Sequence, residues 1–197
     1  MNDSLLRNSG IDEMLDQLEA ELRQTVGTFQ PDYYAEIQRM MAYHLGWEAS
    51  AARGKRVRPL LTLLCCQAAG GDWRTALPAA CAVELIHNFS LLHDDIQDRS
   101  ETRRGRPTVW TRWGIPQAIN TGDAMFVLAH LCWPRLDHAG VEPRISLAAR
   151  DMLEAACLRL TEGQHLDMDF ETQPRVTQAR YLEMIEGKTA ALLSAST

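Results

Sequence analysis

The longest apolar stretch of the sequence, Ala79 to Leu92, is broken by Glu84 and His87, so it falls short of the roughly 20 consecutive apolar residues of a membrane-spanning helix. The first residues, Met1-Asn2-Asp3-Ser4-Leu5, carry no cationic stretch followed by an apolar run, which argues against a secretory leader. Basic charge is not in excess: 20 Lys and Arg face 26 Asp and Glu, a net charge of −6. That balance removes the overall cationic field that nucleic acid or an anionic membrane favours, so any anion site must be local. Cysteines number five, Cys65, Cys66, Cys81, Cys132 and Cys157, with no CxxC or Cys/His metal spacing among them. They read as reduced core residues of a cytoplasmic protein. Strand-like alternation, internal repeats and a linker are also missing, and the expectation is one helical domain over residues 1–197.

What is present fits that expectation. The chain is 46% hydrophobic and 23% charged, an ordinary globular composition. Ile11, Leu15, Leu18 and Leu22 recur about once per helical turn, and so do Tyr34, Ile37, Met41 and Leu45. These predict two helices separated by Gly27 to Pro31. A third is predicted from Pro59 to Ala69, stopped by Gly70-Gly71, and a fourth from Pro78 through Asp98. Arg103-Arg104-Gly105-Arg106-Pro107 reads as a loop. Helices over Pro116 to Trp133 and Pro143 to Phe170 follow, then an amphipathic segment from Gln178 to Ser194.

On the fourth helix Glu84, His87, Leu91, Asp94 and Asp98 are spaced 3, 4, 3 and 4 residues apart and share one face. Asp94 and Asp98 lie one turn apart with Asp95 beside them, and like charges at that spacing repel unless a cation sits between them. Mg²⁺ suits such a pair, because it takes one or two carboxylates and fills its shell with phosphate oxygens and water. A solvated acidic helix end would also explain an isolated DDxxD. Arg53, Lys55, Arg56 and Arg58 precede this helix, and Arg99, Arg103, Arg104 and Arg106 follow it. Cations and carboxylates so concentrated suit a polyanion bridged by metal, although surface ion pairing would account for the charges alone.

The order is more specific than the charges. Gly54-Lys55-Arg56-Val57-Arg58-Pro59 is followed by Glu84-Leu85-Ile86-His87, Leu92-His93-Asp94-Asp95-Ile96-Gln97-Asp98 and Arg103-Arg104-Gly105. Gly122-Asp123, Gly163-Gln164 and Lys188-Thr189 come later. In sequence and spacing this resembles the trans-isoprenyl (polyprenyl) diphosphate synthase family. The resemblance implies an all-α, isoprenoid synthase-type helical bundle, and a Mg²⁺-dependent prenyl transferase acting on isopentenyl diphosphate and an allylic diphosphate. It further implies that Lys55, Arg58, His87 and Arg104 hold the isopentenyl diphosphate, that Arg103, Lys188 and Thr189 contact the allylic diphosphate, and that Gln164 is among the substrate-binding residues. Asp94 and Asp98 would bind Mg²⁺ with Asp95 in support, and a homodimer is the expected assembly.

In this family the positions just before the first aspartate motif bound the elongation pocket. Phe89 and Ser90 stand there, which resembles short-chain enzymes making geranylgeranyl or farnesyl diphosphate. An ideal helical wheel puts Ser90 near Asp94 but Phe89 on another face, so the role of Phe89 rests on the resemblance. The family's second aspartate-rich motif has no counterpart after Asp98, since Asp167 and Asp169 are wrongly spaced. The resemblance therefore covers about the first three fifths of a usual member, and the expectation is a truncated form. A non-catalytic subunit of a heterodimeric synthase is the alternative. A terpene cyclase would have no use for Lys55, Arg58 and His87.

Overall fold

The computed structural model describes residues 9–28, 31–48 and 54–197; Arg53 of the first basic cluster lies outside them. Ten α-helices appear among the described residues. They are α1 (Ser9–Val26), α2 (Pro31–Leu45), α3 (Val57–Ala68), α4 (Leu77–Gln97) and α5 (Val109–Trp113), then α6 (Ile115–His130), α7 (Trp133–His138), α8 (Pro143–Phe170), α9 (Gln178–Ile185) and α10 (Ala191–Ala195). The all-α expectation holds, with one small addition at the Arg-rich loop.

Helix α4 is the axis of the bundle. A helix apolar on nearly every face has to be enclosed, and α4 packs against α1, α2, α3, α5, α6, α7 and α8. Leu85, Ile86 and Leu92 are fully buried along it; each such aliphatic side chain contributes about 1.5–3 kcal/mol by leaving water. With the turn before it, Trp73–Gln97 is long and apolar enough by composition to cross a membrane, but 56% of its most apolar window is buried inside the fold. That is the environment of a core helix.

Several boundaries depart from the sequence reading for local reasons. Helix α3 starts two residues before Pro59, because Arg56 takes a left-handed conformation (φ 51°) as its N-cap. The single helix expected over Pro116 to Trp133 ends at His130, and α7 restarts at Trp133 with Pro134 in its first turn, where a missing N–H does no harm. The predicted loop at residues 103–107 is a miniature antiparallel hairpin, β1 (Thr102–Arg103) against β2 (Arg106–Pro107). Its two turn residues, Arg104 (φ 53°) and Gly105 (φ 74°), both lie in the left-handed region, as a two-residue hairpin turn of the tightest kind requires.

The final segment is one helix interrupted by a π-turn over Glu186–Ala190, between α9 and α10. It lies backbone to backbone on α8. A Cβ placed on Gly163 would stand 2.0 Å from the Lys188 amide nitrogen, and one on Gly187 would stand 2.7 Å from the Arg159 carbonyl oxygen. Neither obstacle is a flexible side-chain tip, so two mid-helix glycines are retained despite their conformational cost. Gly163→Ala is therefore expected to cost about 3 kcal/mol, the upper end for overpacking, read as a lowered urea midpoint. A midpoint within error of the parent would refute this contact.

Candidate active site

The described cations of the first basic cluster meet the second at the hairpin. Gly54, Lys55, Arg58, Glu84, His87 and Arg104, with Arg56, line a cavity of about 350 Å³. Arg58 and His87 also line a second cavity of about 390 Å³, which runs along α4 past Phe89, Ser90 and His93 to Asp94, with Gln164, Lys188 and Thr189 on the opposite wall. The first cavity is a cationic cradle and the second an apolar pocket with an acidic far end. Two residues join them.

In the cradle, charge is crowded and incompletely answered. Burial lowers the pKa of Arg58 and, with Arg56 beside it, that of Arg104, while Glu84 opposes both shifts. The Arg58 Nε is buried without a hydrogen-bond partner. His87 is pushed down to about 3, first by burial and then by Arg58, Arg104, Arg103 and Arg56. It is therefore neutral, offering one ring N–H to an anion without adding another charge. An anion is what relieves such a cluster of half-desolvated cations.

At the far end Asp94 Oδ1 stands 3.1 Å from Lys188 Nζ and Asp94 Oδ2 3.4 Å from Arg103. Lys188 also reaches Asp167 directly. Asp95 turns away from the pocket. Its Oδ1 accepts from Arg103 Nε at 2.8 Å, its Oδ2 is buried and unpaired, and burial pushes the group up to about 6 against the pull of Arg103. Asp98 is raised by burial and by Asp94, with Asp167 and Glu171 adding to the repulsion and Lys188 opposing it. Gln164 donates to Gln97 Oε1 at 2.9 Å, tying α8 to α4.

A family model described as polyprenyl synthetase matches residues 37–197. The chain belongs to that family. It is 46% identical over 145 residues to a geranylgeranyl diphosphate synthase of Methanosarcina mazei, which covers 74% of this chain and 44% of the relative. It is 42% identical over 181 residues to a (2E,6E)-farnesyl diphosphate synthase of Mycobacterium tuberculosis, covering 89% and 48%. The crystal structure of a geranylgeranyl pyrophosphate synthetase from Pyrococcus horikoshii superposes with a TM-score of 0.86 at 36% identity, covering 95% of this chain and 54% of that one. The chain thus spans about half the length of the curated relatives it matches, and its fold is that of the isoprenoid synthases.

Within this polyprenyl synthetase fold the carboxylates of Asp94 and Asp98 at the acidic end are oxygen donors, a set suited to a hard divalent cation. Among the described residues no three His, Cys, Asp or Glu converge as a preformed cage. Two carboxylates one turn apart fit Mg²⁺ nonetheless, since that ion completes its shell with phosphate and water.

Sequence reasoning gave no role in the site to four groups. Asp167 was set aside for its spacing to Asp169, yet it lies three residues after Gln164 on the same face of α8 and meets Lys188. Asp123 stands 3.4 Å from His93, whose ring fills the space a Cβ on Gly122 would occupy; this seats the ring beside Asp94. Glu84 and Arg56 pair in the cradle wall. His44 is buried, with its Nε2 unpaired, and nothing in the local sequence marks it.

His44 is held down to about 3, by burial first and then by Arg104, Arg103, His87 and Arg56. Between that value and the ordinary 6.5 the unfolded chain binds the extra proton, so this group removes stability as pH falls through that window. His44→Gln should consequently lose less stability than the parent between about pH 7 and pH 4.5, the unfolded histidine being half-protonated near 6.5. Urea unfolding at both pH values measures it, and equal losses would show that His44 is not kept neutral.

Proposed function

We propose that this chain is a Mg²⁺-dependent prenyl transferase that joins isopentenyl diphosphate to an allylic diphosphate, giving a short-chain product such as geranylgeranyl or farnesyl diphosphate. One observation carries the reading: a cationic cradle and an apolar pocket with an acidic far end share Arg58 and His87 in their walls. Two diphosphates held there would present their hydrocarbon ends to each other. The names of the M. mazei and M. tuberculosis relatives support the same reaction class.

In this reading Lys55, Arg58 and Arg104 clamp the isopentenyl diphosphate, and neutral His87 donates one hydrogen bond. Lys188, Arg103, Thr189 and Gln164 face the allylic diphosphate, while Asp94 and Asp98 hold Mg²⁺. The metal, when bound, supplies positive charge to the departing diphosphate. Lys188 and Arg103 add theirs as the allylic carbon–oxygen bond breaks, where charge develops and fixed cations count most. The double bond of isopentenyl diphosphate then attacks the allylic cation, and loss of a proton leaves a longer allylic diphosphate. Phe89 packs edge-on to His93 (centroids 4.9 Å apart) and against Phe126 (5.0 Å), so it closes the pocket in spite of its place on the helical wheel. Ser90 leaves room beside it.

A homodimer is the assembly we propose, supported by Ile119 and Val127 on α6 and Leu131 at its C-cap, all exposed. The five free cysteines favour a reducing, cytoplasmic setting.

The purified protein, given Mg²⁺, isopentenyl diphosphate and farnesyl diphosphate, is expected to form an elongated product. Asp94→Asn should lower kcat by about 10²–10³-fold, the range for losing one group that stabilises developing charge. Folded protein that binds both diphosphates but forms no product would favour a non-catalytic subunit instead. Product length offers a separate check, for Phe89→Ala should shift the chromatographed products towards longer chains. An unchanged distribution from soluble Phe89→Ala enzyme would remove Phe89 from the pocket floor.

A further inference from the structure

Arg56 lines the cradle, yet each of its three side-chain nitrogens is already engaged by the protein, which uses three of its five N–H groups. Its Nε donates to Glu19 Oε1 at 2.7 Å, its Nη1 to Glu84 Oε1 at 2.8 Å and its Nη2 to the Leu45 carbonyl at 3.0 Å. The side chain is 3% exposed, as is that of Glu84, while Glu19 is 15% exposed. Glu84 Oε1 also accepts from Asn88 Nδ2 at 2.9 Å, one turn further along α4. Three helices, α1, α2 and α4, therefore grip one guanidinium.

That grip coincides with backbone strain. Arg56 is held left-handed (φ 51°, ψ 35°) as the residue that opens α3, a conformation an L-residue keeps only where its surroundings over-determine it. Lys55 precedes this turn and Arg58 lies in the first turn after it. The dihedral angles of Arg56 thus set the directions in which both cations leave the backbone.

We propose that the Glu19–Arg56–Glu84 bridge is a positioning device that presets the cradle for the isopentenyl diphosphate, without Arg56 or either glutamate touching it. The inference rests on reading the cradle as that diphosphate's site. Glu19 and Glu84 more than offset the charge of Arg56, leaving Lys55, Arg58 and Arg104 to answer the anion. The bridge also fixes the left-handed turn that aims Lys55 and Arg58.

Two roles for Glu84 predict opposite signs. A carboxylate beside an anion site that does nothing else would repel the ligand, and Glu84→Gln would tighten binding. As part of the bridge, the same change loosens Arg56 and weakens binding. Glu19→Gln adds the same unit of charge from outside the cavity lining and should weaken binding likewise.

The experiment is calorimetric titration of the folded protein with isopentenyl diphosphate and, separately, with Mg²⁺ and a non-ionising thio-analogue of farnesyl diphosphate. Glu84→Gln and Glu19→Gln are each expected to raise the dissociation constant for isopentenyl diphosphate by about tenfold, the size of one lost charge-assisted hydrogen bond. Affinity for the thio-analogue should stay within about twofold, a change of under half a kcal/mol. Unchanged or tighter isopentenyl diphosphate binding in both variants overturns the proposal, and so does equal weakening for both ligands, which marks a general structural role. Should Glu84→Gln fail to fold by circular dichroism, Glu19→Gln decides alone. Folded parent protein that binds the thio-analogue but no isopentenyl diphosphate overturns both the reading of the cradle and this proposal.

Discussion

A single buried helix sets the distance between the cationic cradle and the acidic pole. His87, at the cradle, and Asp94, at the acidic pole, are seven residues apart on α4, or about 10 Å at 1.5 Å per residue. Packing on nearly every side of α4 holds that spacing. The apolar stretch between them, with Phe89 and Leu91 facing the pocket, becomes a dry interval between two polar ends. The other elements hold that axis or bring partners to its ends.

Those partners arrive with local cost. Arg56 and Arg104 both adopt left-handed conformations, and both belong to the cradle wall. Strain of about 1–3 kcal/mol at each persists because the side chains are over-determined. Three protein groups hold Arg56, and the hairpin pairing fixes Arg104. The Arg56–Glu84 pair is not strong evidence of stability in itself, since desolvating two charges offsets most of their attraction. Its geometric consequence, the turn that opens α3, is the better reason for its place in the fold.

The elements best anticipated from sequence were those whose signals are local. Helix α8 runs from Pro143 to Phe170 and α4 ends within a residue of Asp98, because proline starts and apolar periodicity act over a few residues. The hairpin at Thr102 to Pro107 was read as a loop, since an arginine at a left-handed turn position has no propensity signal. The family order singled out Lys55, Arg58, His87, Asp94 and Lys188, and the structure places these around two cavities that share Arg58 and His87. Asp167 and His44 were missed for a different reason. Their significance comes from partners 21 residues away in one case, and in the other from arginines on separate elements. Burial and long-range charge decide such residues, and periodicity carries neither.

Lys188 shows how the two halves of the pocket are kept in register. Partial burial works against its charge, yet Asp167 and Asp94 outweigh that and raise its pKa, so the ammonium persists between α8 and α4. It reaches that position because the π-turn adds a residue to the last helix, and because Gly163 and Gly187 let that helix lie directly on α8. A regular α-turn there would rotate Lys188 by about 100° and leave Asp94 facing Asp167 without a cation between them. π-turns concentrate at functional sites, and here the irregular segment carries the cation that Asp94 and Asp167 share.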